Sequence, residues 1–416
     1  MPNFSIPLSG LTADATALSA IANNLANQNT TGYKDVTVQF SDLFYQNLGT
    51  TGAGDPIQVG AGTQVGSMPG TFTQGSVTAT GVPTDVAIQG DGFFVVQNGG
   101  VTSYTRAGDF SVDKNNFLVT SDGQQVLGYP AVNGVVNPGG GVGPLQLGAG
   151  TISPPTTTTS VGTTTNLNAG AAVGDTYSTP VTVYDSLGAS HILTFTFTNT
   201  GANAWNYSLS VPVGDYTPAV GSKLPPGVVA NGTMTFDGNG NLLTPAANVA
   251  GIAIPNLTDG ANNMSFTWDL YNGTTPVMTQ VAAPSSTSAT QQDGSSSGTL
   301  TDFSIGTDGT VTGSFTNGKT AALGQIALAS FADEQGLQRA GATDYTQTLA
   351  SGQAVVGIAG TGGRGTLAGG SLELSNVDIA TEFANLIVAQ RAFEANAKAI
   401  TTFDQITQDT INLKAQ

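Results

Sequence analysis

Apolar residues recur at helical spacing only near the two ends of this chain. At the start, Leu11, Ala15, Leu18, Ala22 and Leu25 fall at steps of four, three, four and three, with Ile21 beside them, which is one stripe of an α-helix. Asn27, Asn29 and Gly32 then stop it. At the other end, residues 375–416 contain neither Gly nor Pro, so the breakers that punctuate the rest of the chain are excluded and one long helix is expected. Its opening "SNVD" predicts Ser375 as N-cap with Asp378 three residues on. Ile379, Phe383, Leu386, Phe393, Ala397 and Ile400 follow as a heptad-like seam, with Gln390 in one seam position and Ile387 alongside. Such a helix is about 55 Å long at 1.5 Å per residue, longer than a small domain is wide, so it cannot pack wholly on its own core.

Between the ends the period changes from 3.6 to 2. "HILTFTFTN" sets Leu193, Phe195 and Phe197 against Ile192, Thr194 and Thr196. "AWNYSLSV" alternates Trp205, Tyr207, Leu209 and Val211 with small or polar residues, and "NMSFTWDL" does the same with Met264, Phe266, Trp268 and Leu270. "DKNNFLVT" (113–120) and "DGNGNLLT" (237–244) echo each other and read as hairpins. Three biased stretches read as linkers: "ISPPTTTTSVGTTTN" (152–166) and "APSSTSATQQDGSSSG" (283–298) as the outward and return crossings between β domains, and "GIAGTGGRGTLAGG" (357–370) as the separator between the β region and the C-terminal helix. The expectation is a mainly β fold with helical termini, nested so that an inner β domain built from two segments carries an inserted outer β domain.

Charge then removes whole classes of partner. Ten Lys and Arg against 27 Asp and Glu give a formal charge of −17, and only 9% of residues are charged. Between Asn115 and Gly318 the one basic residue is Lys223, so no patch exists there to neutralise a phosphate backbone. Nucleic acid and direct membrane insertion are not expected. Cysteine is absent, which removes disulfides and thiolate sites together. The first residues have no basic n-region and no long apolar h-region, so no cleaved Sec signal is expected, although 56 Gly and long Thr/Ser tracts suit an extracellular β protein.

Candidate chemistry is sparse. The only imidazole is His191, inside an alternating strand and six residues after Asp185, and it reads as a structural strand-face residue rather than a triad base. The Asp-x-Asn turns at 113 and 237 lack the calcium-loop ligand pattern and read as hairpin turns. "GTGGRGT" lacks the Gly-Lys-Ser/Thr of a phosphate loop. No catalytic, cofactor-binding or metal-binding residue is expected.

The ends, taken together, carry a resemblance. "SGLTADATALSAIANNLANQNTTGYKD" resembles the N-terminal signature of the bacterial flagellar rod, hook and hook-associated axial proteins, with Ala22 to Asn27 and Thr31 to Lys34 matching its hallmark. "SNVDIATEFANLIVAQRAFEANAKAITTFDQI" is similar to the C-terminal signature of the same family. "TDVAIQGDGFFVVQ" with "YTRAGDFSVDKNNFLVTSDGQQVLGYP" resembles the inner β domain of rod and hook proteins, and "VTVYDSLGASHILTFTF" the outer domain of hook proteins.

The resemblance implies a secreted, non-enzymatic structural subunit, a homopolymer forming the flexible tube that passes motor torque from rod to filament. It implies terminal helices paired as an axial coiled coil over 1–34 and 371–416, a connector over 35–70 and 357–370, an inner β domain over 71–145 and 286–356, and an outer one over 146–285. The implied partners are other copies, the distal rod, the hook cap, the hook–filament junction protein and the flagellar type III export apparatus. Polymer contacts would come from Leu11, Leu18, Ile21 and Leu25 on the first helix. On the last they would come from Phe383, Leu386, Ile387, Phe393, Ala397 and Ile400. Asn23, Asn24, Asn27, Thr31, Gly32, Tyr33 and Lys34 would form the helix-end signature that starts the connection outward, with no ligand site. A distal-rod protein would share the termini and inner domain but lack the insertion. A secreted β-rich adhesin or glycan binder would share the composition but not require paired terminal helices.

Overall fold

The computed structural model describes residues 4–147, 152–218 and 221–414. Its two α-helices are α1, Ser5–Ala26, and α2, Ile379–Lys414; every regular element between them is a strand or a single 3-10 turn. The chain folds as two compact units. One comprises Met1–Ala149, Asp302–Gly313 and Ala321–Gln416, and the other Gly150–Thr301 with Ser314–Thr320.

In the first unit an antiparallel path runs through strands Thr320–Ser330, Gln125–Val132, Phe93–Asn98, Val101–Thr105, Asp344–Thr346 and Gln338–Gly341. The run "GFFVVQ" is buried on both faces because strand neighbours point opposite ways. Phe94 and Val96 join Val126, Ile326, Leu328 and Leu145 in one core. Phe93 and Val95 join Tyr104, Leu127 and Tyr345 in another, where Phe72 and Phe331 meet Phe93 edge-on. Two short ladders bring the late chain beside the early chain: Thr366–Gly369 pairs Val86–Gln89, and Ser371–Glu373 pairs Val77–Ala79. The connector after α1 is a nested hairpin, with Gln39–Asp42 on Thr63–Ser67 and Gln46–Thr50 on Pro56–Val59. Phe44, between its two ladders, is 95% exposed.

The second unit has a meander, Thr176–Tyr184, Ser190–Gly201, Ala204–Ser210, Val228–Phe236 and Leu242–Thr244. Its other sheet holds Val249–Ile254, Met264–Asp269, Ser160–Asn168 and Met278–Val281, with Ser286–Gln292 antiparallel to Ser160–Asn168. Both sheets give their alternate residues to one core, as the period-2 pattern requires. Leu193, Phe195, Phe197, Trp205, Tyr207, Leu209, Met264, Phe266 and Trp268 are all in it. Trp268 packs 5.0 Å from Phe195 and 5.2 Å from Tyr207, centroid to centroid.

The mainly β fold with helical termini is as expected, and so are the two echoing hairpins, whose Asp113 and Asp237 carboxylates each cap their own turn through two backbone N–H groups. The three linkers are corrected. Residues 160–168 and 286–292 form a paired ladder inside the second unit, and residues 355–358 and 366–369 are strands of the first. Thr explains the misreading: at 163 and 165 it is buried like an apolar residue, with its hydroxyl satisfied by Trp268 Nε1 and by Thr287 Oγ1. Residues up to Thr301 therefore group with the second unit, past the expected boundary at 285.

Candidate assembly surface

The two helices run antiparallel. Phe4 meets Phe403 edge-on at 6.1 Å, Asn396 Nδ2 donates to Asp14 Oδ2 at 2.8 Å, and Asn24 lies against Glu382. On α1 the buried seam is Ala13, Ala17, Ala20 and Asn24, with Gly10 so close to Asn396 that an added Cβ would meet its Nδ2 at 2.7 Å. These positions step by three and four, so α1 meets α2 largely through its smallest residues. The expected stripe of Leu11, Leu18, Ile21 and Leu25 is displaced from this seam by about one residue, or roughly 100° around the helix. All four of its side chains are only partly buried. The row that carries the stripe also borders α2, through Phe4, Asp14 and Ile21.

On α2 the positions 382, 386, 389, 393, 396, 400, 403 and 407 keep a strict heptad step, and three of them, Glu382, Asn396 and Phe403, demonstrably face α1. Leu386, Phe393 and Ile400 share that face by register and are partly buried, as is Ala397 next to it. Phe383 and Ile387 are off the seam and 48% and 52% exposed, and Ile379, in register at the start of the helix, is 47% exposed. Beyond Phe403 the helix runs on to Lys414, eleven residues further, with Ile406, Ile411 and Leu413 exposed. The cap is also corrected. α2 begins at Ile379 with Asp378 Oδ1 accepting from Thr381 N, while Ser375 Oγ only turns back on Val377 N.

A buried junction fixes where this helix pair leaves the β unit. Asn24, 1% exposed, clamps the returning chain with both ends of its amide: Nδ2 donates to Val36 O at 2.9 Å and Oδ1 accepts from Val36 N at 3.0 Å and Tyr33 Oη at 3.1 Å. Gly32, at φ +66°, donates to Glu373 O and sits where a Cβ would meet Ala107 N at 2.5 Å. Lys34 Nζ lies 2.6 Å from Glu373 Oε1 and donates to Thr73 O at 2.7 Å, both side chains fully buried. Arg106 stands 3.6 Å from the other Glu373 oxygen, and Gly75 N donates to the first. Asn376 accepts from Asp35 N and donates to Thr71 O, so the start of the last segment is tied to the end of the first. Arg339 donates to Lys34 O and stacks over Tyr33 and Tyr345.

Burial pushes the Lys34 ammonium below its ordinary range, with Glu373 opposing. Burial likewise raises the Glu382 carboxyl, with the Asn24 amide opposing. Both groups are held by the fold in places that water would not choose for a charge.

Of the seven signature residues, Asn23, Asn24, Asn27, Gly32, Tyr33 and Lys34 thus act inside the chain, with Asn23 donating to Tyr33 Oη and Asn27 to Asn23 O. A cleft of about 420 Å³ lies beside them, lined also by Thr31, Asp109, Asp122 and Arg339. Sequence reading missed Gly10, Ala13, Ala17 and Ala20 as the seam, and Arg106, Arg339, Glu373 and Asn376 as the junction. The alanine spacing was a usable signal; the junction partners lie hundreds of residues apart.

Family models match along the chain: Flagella basal body rod protein at 6–34, Flagellar hook protein FlgE/F/G D1 domain at 87–166, Flagellar basal body protein FlaE D2 domain at 149–295 and Flagellar basal body rod FlgEFG protein C-terminal at 368–413. The chain is 37% identical to the flagellar hook protein FlgE of Escherichia coli K12, over 99% of this chain and 100% of that one. It is 35% identical to the flagellar hook protein FlgE of Treponema pallidum, over 98% of each. A crystal structure of the Helicobacter pylori flagellar hook protein FlgE2 aligns with a TM-score of 0.49 at 14% identity, covering 71% of this chain and 100% of that chain.

Proposed function

The chain belongs to the flagellar hook protein family, and from that premise we propose that its two terminal helices form the axial assembly surface of a hook subunit. A hook subunit is a structural protein that associates with copies of itself. The observation that carries the proposal is that α2 leaves Phe383, Ile387, Val388, Ile406, Ile411 and Leu413 exposed outside the face it turns to α1. A single pair of helices in which α1 contributes mainly alanines buries limited area, while fixing each residue costs about 1–2 kcal/mol in backbone entropy. Burying each outward Leu, Ile or Phe against another copy would contribute about 1.5–3 kcal/mol. Neighbouring subunits therefore supply what the isolated pair lacks.

The junction at Asn24, Lys34, Glu373 and Asn376 then works as a rigid root, so that force taken up by the helices passes to the first β unit instead of being lost in a loose linker. The second β unit, poor in charge, forms contacts with neighbours that shift as the tube turns in its bent shape. In this reading the subunit leaves the cell through the flagellar type III apparatus, adds beneath a hook cap, and meets the distal rod at one end of the polymer and the hook–filament junction protein at the other. The adhesin reading has no comparable use for the paired termini.

The test is far-UV circular dichroism of dilute full-length protein before and after polymerisation, with electron microscopy of the same samples. Helix content should rise as tubes appear. Tubes forming with helix content unchanged would place the driving contacts elsewhere.

A further inference from the structure

The second unit holds the only imidazole of the chain in surroundings that a strand-face role does not explain. His191, 7% exposed, has Nδ1 3.1 Å from Asp215 Oδ2 and Nε2 3.2 Å from Asp185 Oδ2, with Asp259 Oδ2 3.8 Å away. A neutral imidazole carries one N–H. Whichever nitrogen holds it, the other turns a lone pair toward a carboxylate that can only accept. Three carboxylates face a ring whose charge is at most +1, and Asp185 and Asp259 stand close enough to share a hydrogen bond, so the cluster either keeps a carboxyl proton or is short of positive charge.

The carboxylates are aimed at this point. Asp185, fully buried, uses Oδ1 to accept from Leu187 N and Ala189 N at 2.8 and 2.9 Å, which leaves Oδ2 for the ring. Asp259 uses Oδ1 to accept from Ala261 N at 3.0 Å, which leaves its Oδ2 likewise. The loops bearing Asp215 and Asp259 are held side by side by the Tyr216–Leu257 bridge and by Thr258 N donating to Asp215 O.

We propose that His191 Nε2, Asp185 Oδ2 and Asp259 Oδ2 form a binding site for a divalent transition-metal ion of the zinc class, with Asp215 orienting the imidazole through Nδ1–H. Nitrogen and oxygen ligands sit about 2.0–2.2 Å from zinc, which puts tetrahedral neighbours roughly 3.3–3.6 Å apart. The distances from Nε2 of 3.2 and 3.8 Å bracket that range, and the three ligand atoms all lie within 4.8 Å of one another. Asp259, with 31% of its side chain exposed, has the freedom to close the remaining gap and opens the site to solvent, from which a water would complete the shell. A carboxylate on the far nitrogen is the usual outer partner of a metal-bound histidine, fixing its tautomer and raising its basicity. An imidazole donor favours zinc-class ions over calcium, which takes six to eight oxygens. The ion would tie together the 185–191 hairpin, the 215 loop and the 259 loop. The inference rests on the second unit alone and is independent of the assembly reading.

The experiment is calorimetric titration of chelator-treated full-length protein with zinc chloride alone, joined to nitrogen NMR of the single imidazole. One zinc per chain is expected, with the Nε2 resonance shifted by the metal and the proton on Nδ1. Asp259→Asn should weaken binding more than tenfold, and Asp215→Asn by about 10–100-fold, while Asp237→Asn, in a turn outside the cluster, should leave it unchanged. Tryptophan fluorescence, from Trp205 and Trp268 in the core of this unit, verifies that each variant is folded. No saturable binding by the wild-type chain would overturn the proposal. So would binding that survives Asp259→Asn, or an imidazole resonance that zinc does not move.

Discussion

Lys34 and Glu373 stand 339 residues apart in the chain and 2.6 Å apart in the fold, with neither side chain reaching solvent. A buried pair of this kind contributes little net stability as a pair, but removing one partner strands the other charge and costs about 3–5 kcal/mol. Glu373→Gln should therefore destabilise the first unit by that order and loosen the root of both helices. Urea unfolding followed by tyrosine and far-UV signals reports it. Both Trp residues lie in the second unit, so the tryptophan transition should stay where it is. A Glu373→Gln chain with an unchanged first-unit midpoint would remove the junction from the account.

Phe383 and Ile387 lie off the α1-facing heptad and are about half exposed. Replacing both with Asp should leave the monomer's unfolding midpoint within about 0.5 kcal/mol of wild type, as for other surface substitutions. Assembly should fail, because an unpaired charge would have to be desolvated at each new contact. Phe393→Asp differs, since position 393 shares the face of Asn396 and Phe403; it should perturb the helix pair in the monomer as well. Normal hooks from the Phe383/Ile387 double variant, seen by electron microscopy of cells expressing it alone, would show that this face meets solvent in the polymer.

The sandwich strands were legible because Leu193, Phe195 and Phe197 alternate cleanly with Thr, and period 2 has one reading when one face is wet. The Ser160–Asn168 strand was not. Its inward positions include Thr163 and Thr165, and a hydroxyl counts as polar in any pattern until its buried partner is known. On α1 the stripe chosen by size, Leu11 to Leu25, displaced the stripe chosen by packing, Ala13 to Asn24, because hydropathy ranks Leu over Ala. Close helix approach rewards the reverse. Lys34 stands in the helix-end motif of the sequence, yet nothing local marks Glu373 or Arg106 as its buried neighbours.

The junction also sets where the helices can be cut. Removing residues 1–34 and 371–416 would delete Lys34, Glu373, Asn376 and the strand Ser371–Glu373, leaving Val77–Ala79 unpaired and Arg106 without its carboxylate. That truncated chain should lose the cooperative transition of its first unit. A chain lacking only residues 1–22 and 380–416 keeps Asn24, the clamp on Val36 and the Glu373 cluster, and should unfold cooperatively near the wild-type midpoint. Neither should polymerise. Scanning calorimetry separates the two cuts, and tubes from the shorter truncation would move the main contacts off the helices.

His191 links the second unit to pH in a direction that can be worked out. Burial alone would lower its pKa, but hydrogen bonds and charge from Asp215 and Asp185 outweigh burial and raise it above its ordinary value near 6.5. The folded unit thus holds this proton more tightly than the unfolded chain does. The stabilisation is fully present below the unfolded pKa and is lost as pH rises through the raised, folded one. In chelator-treated protein the urea midpoint read by tryptophan should therefore fall as pH rises from about 6.5 through the raised, folded pKa, and His191→Gln should flatten that profile. Zinc should restore the midpoint chiefly at the upper end, where the ring is free of its competing proton. A wild-type midpoint that does not change across that range would mean that Asp185, Asp215 and Asp259 do not sense the ring's charge.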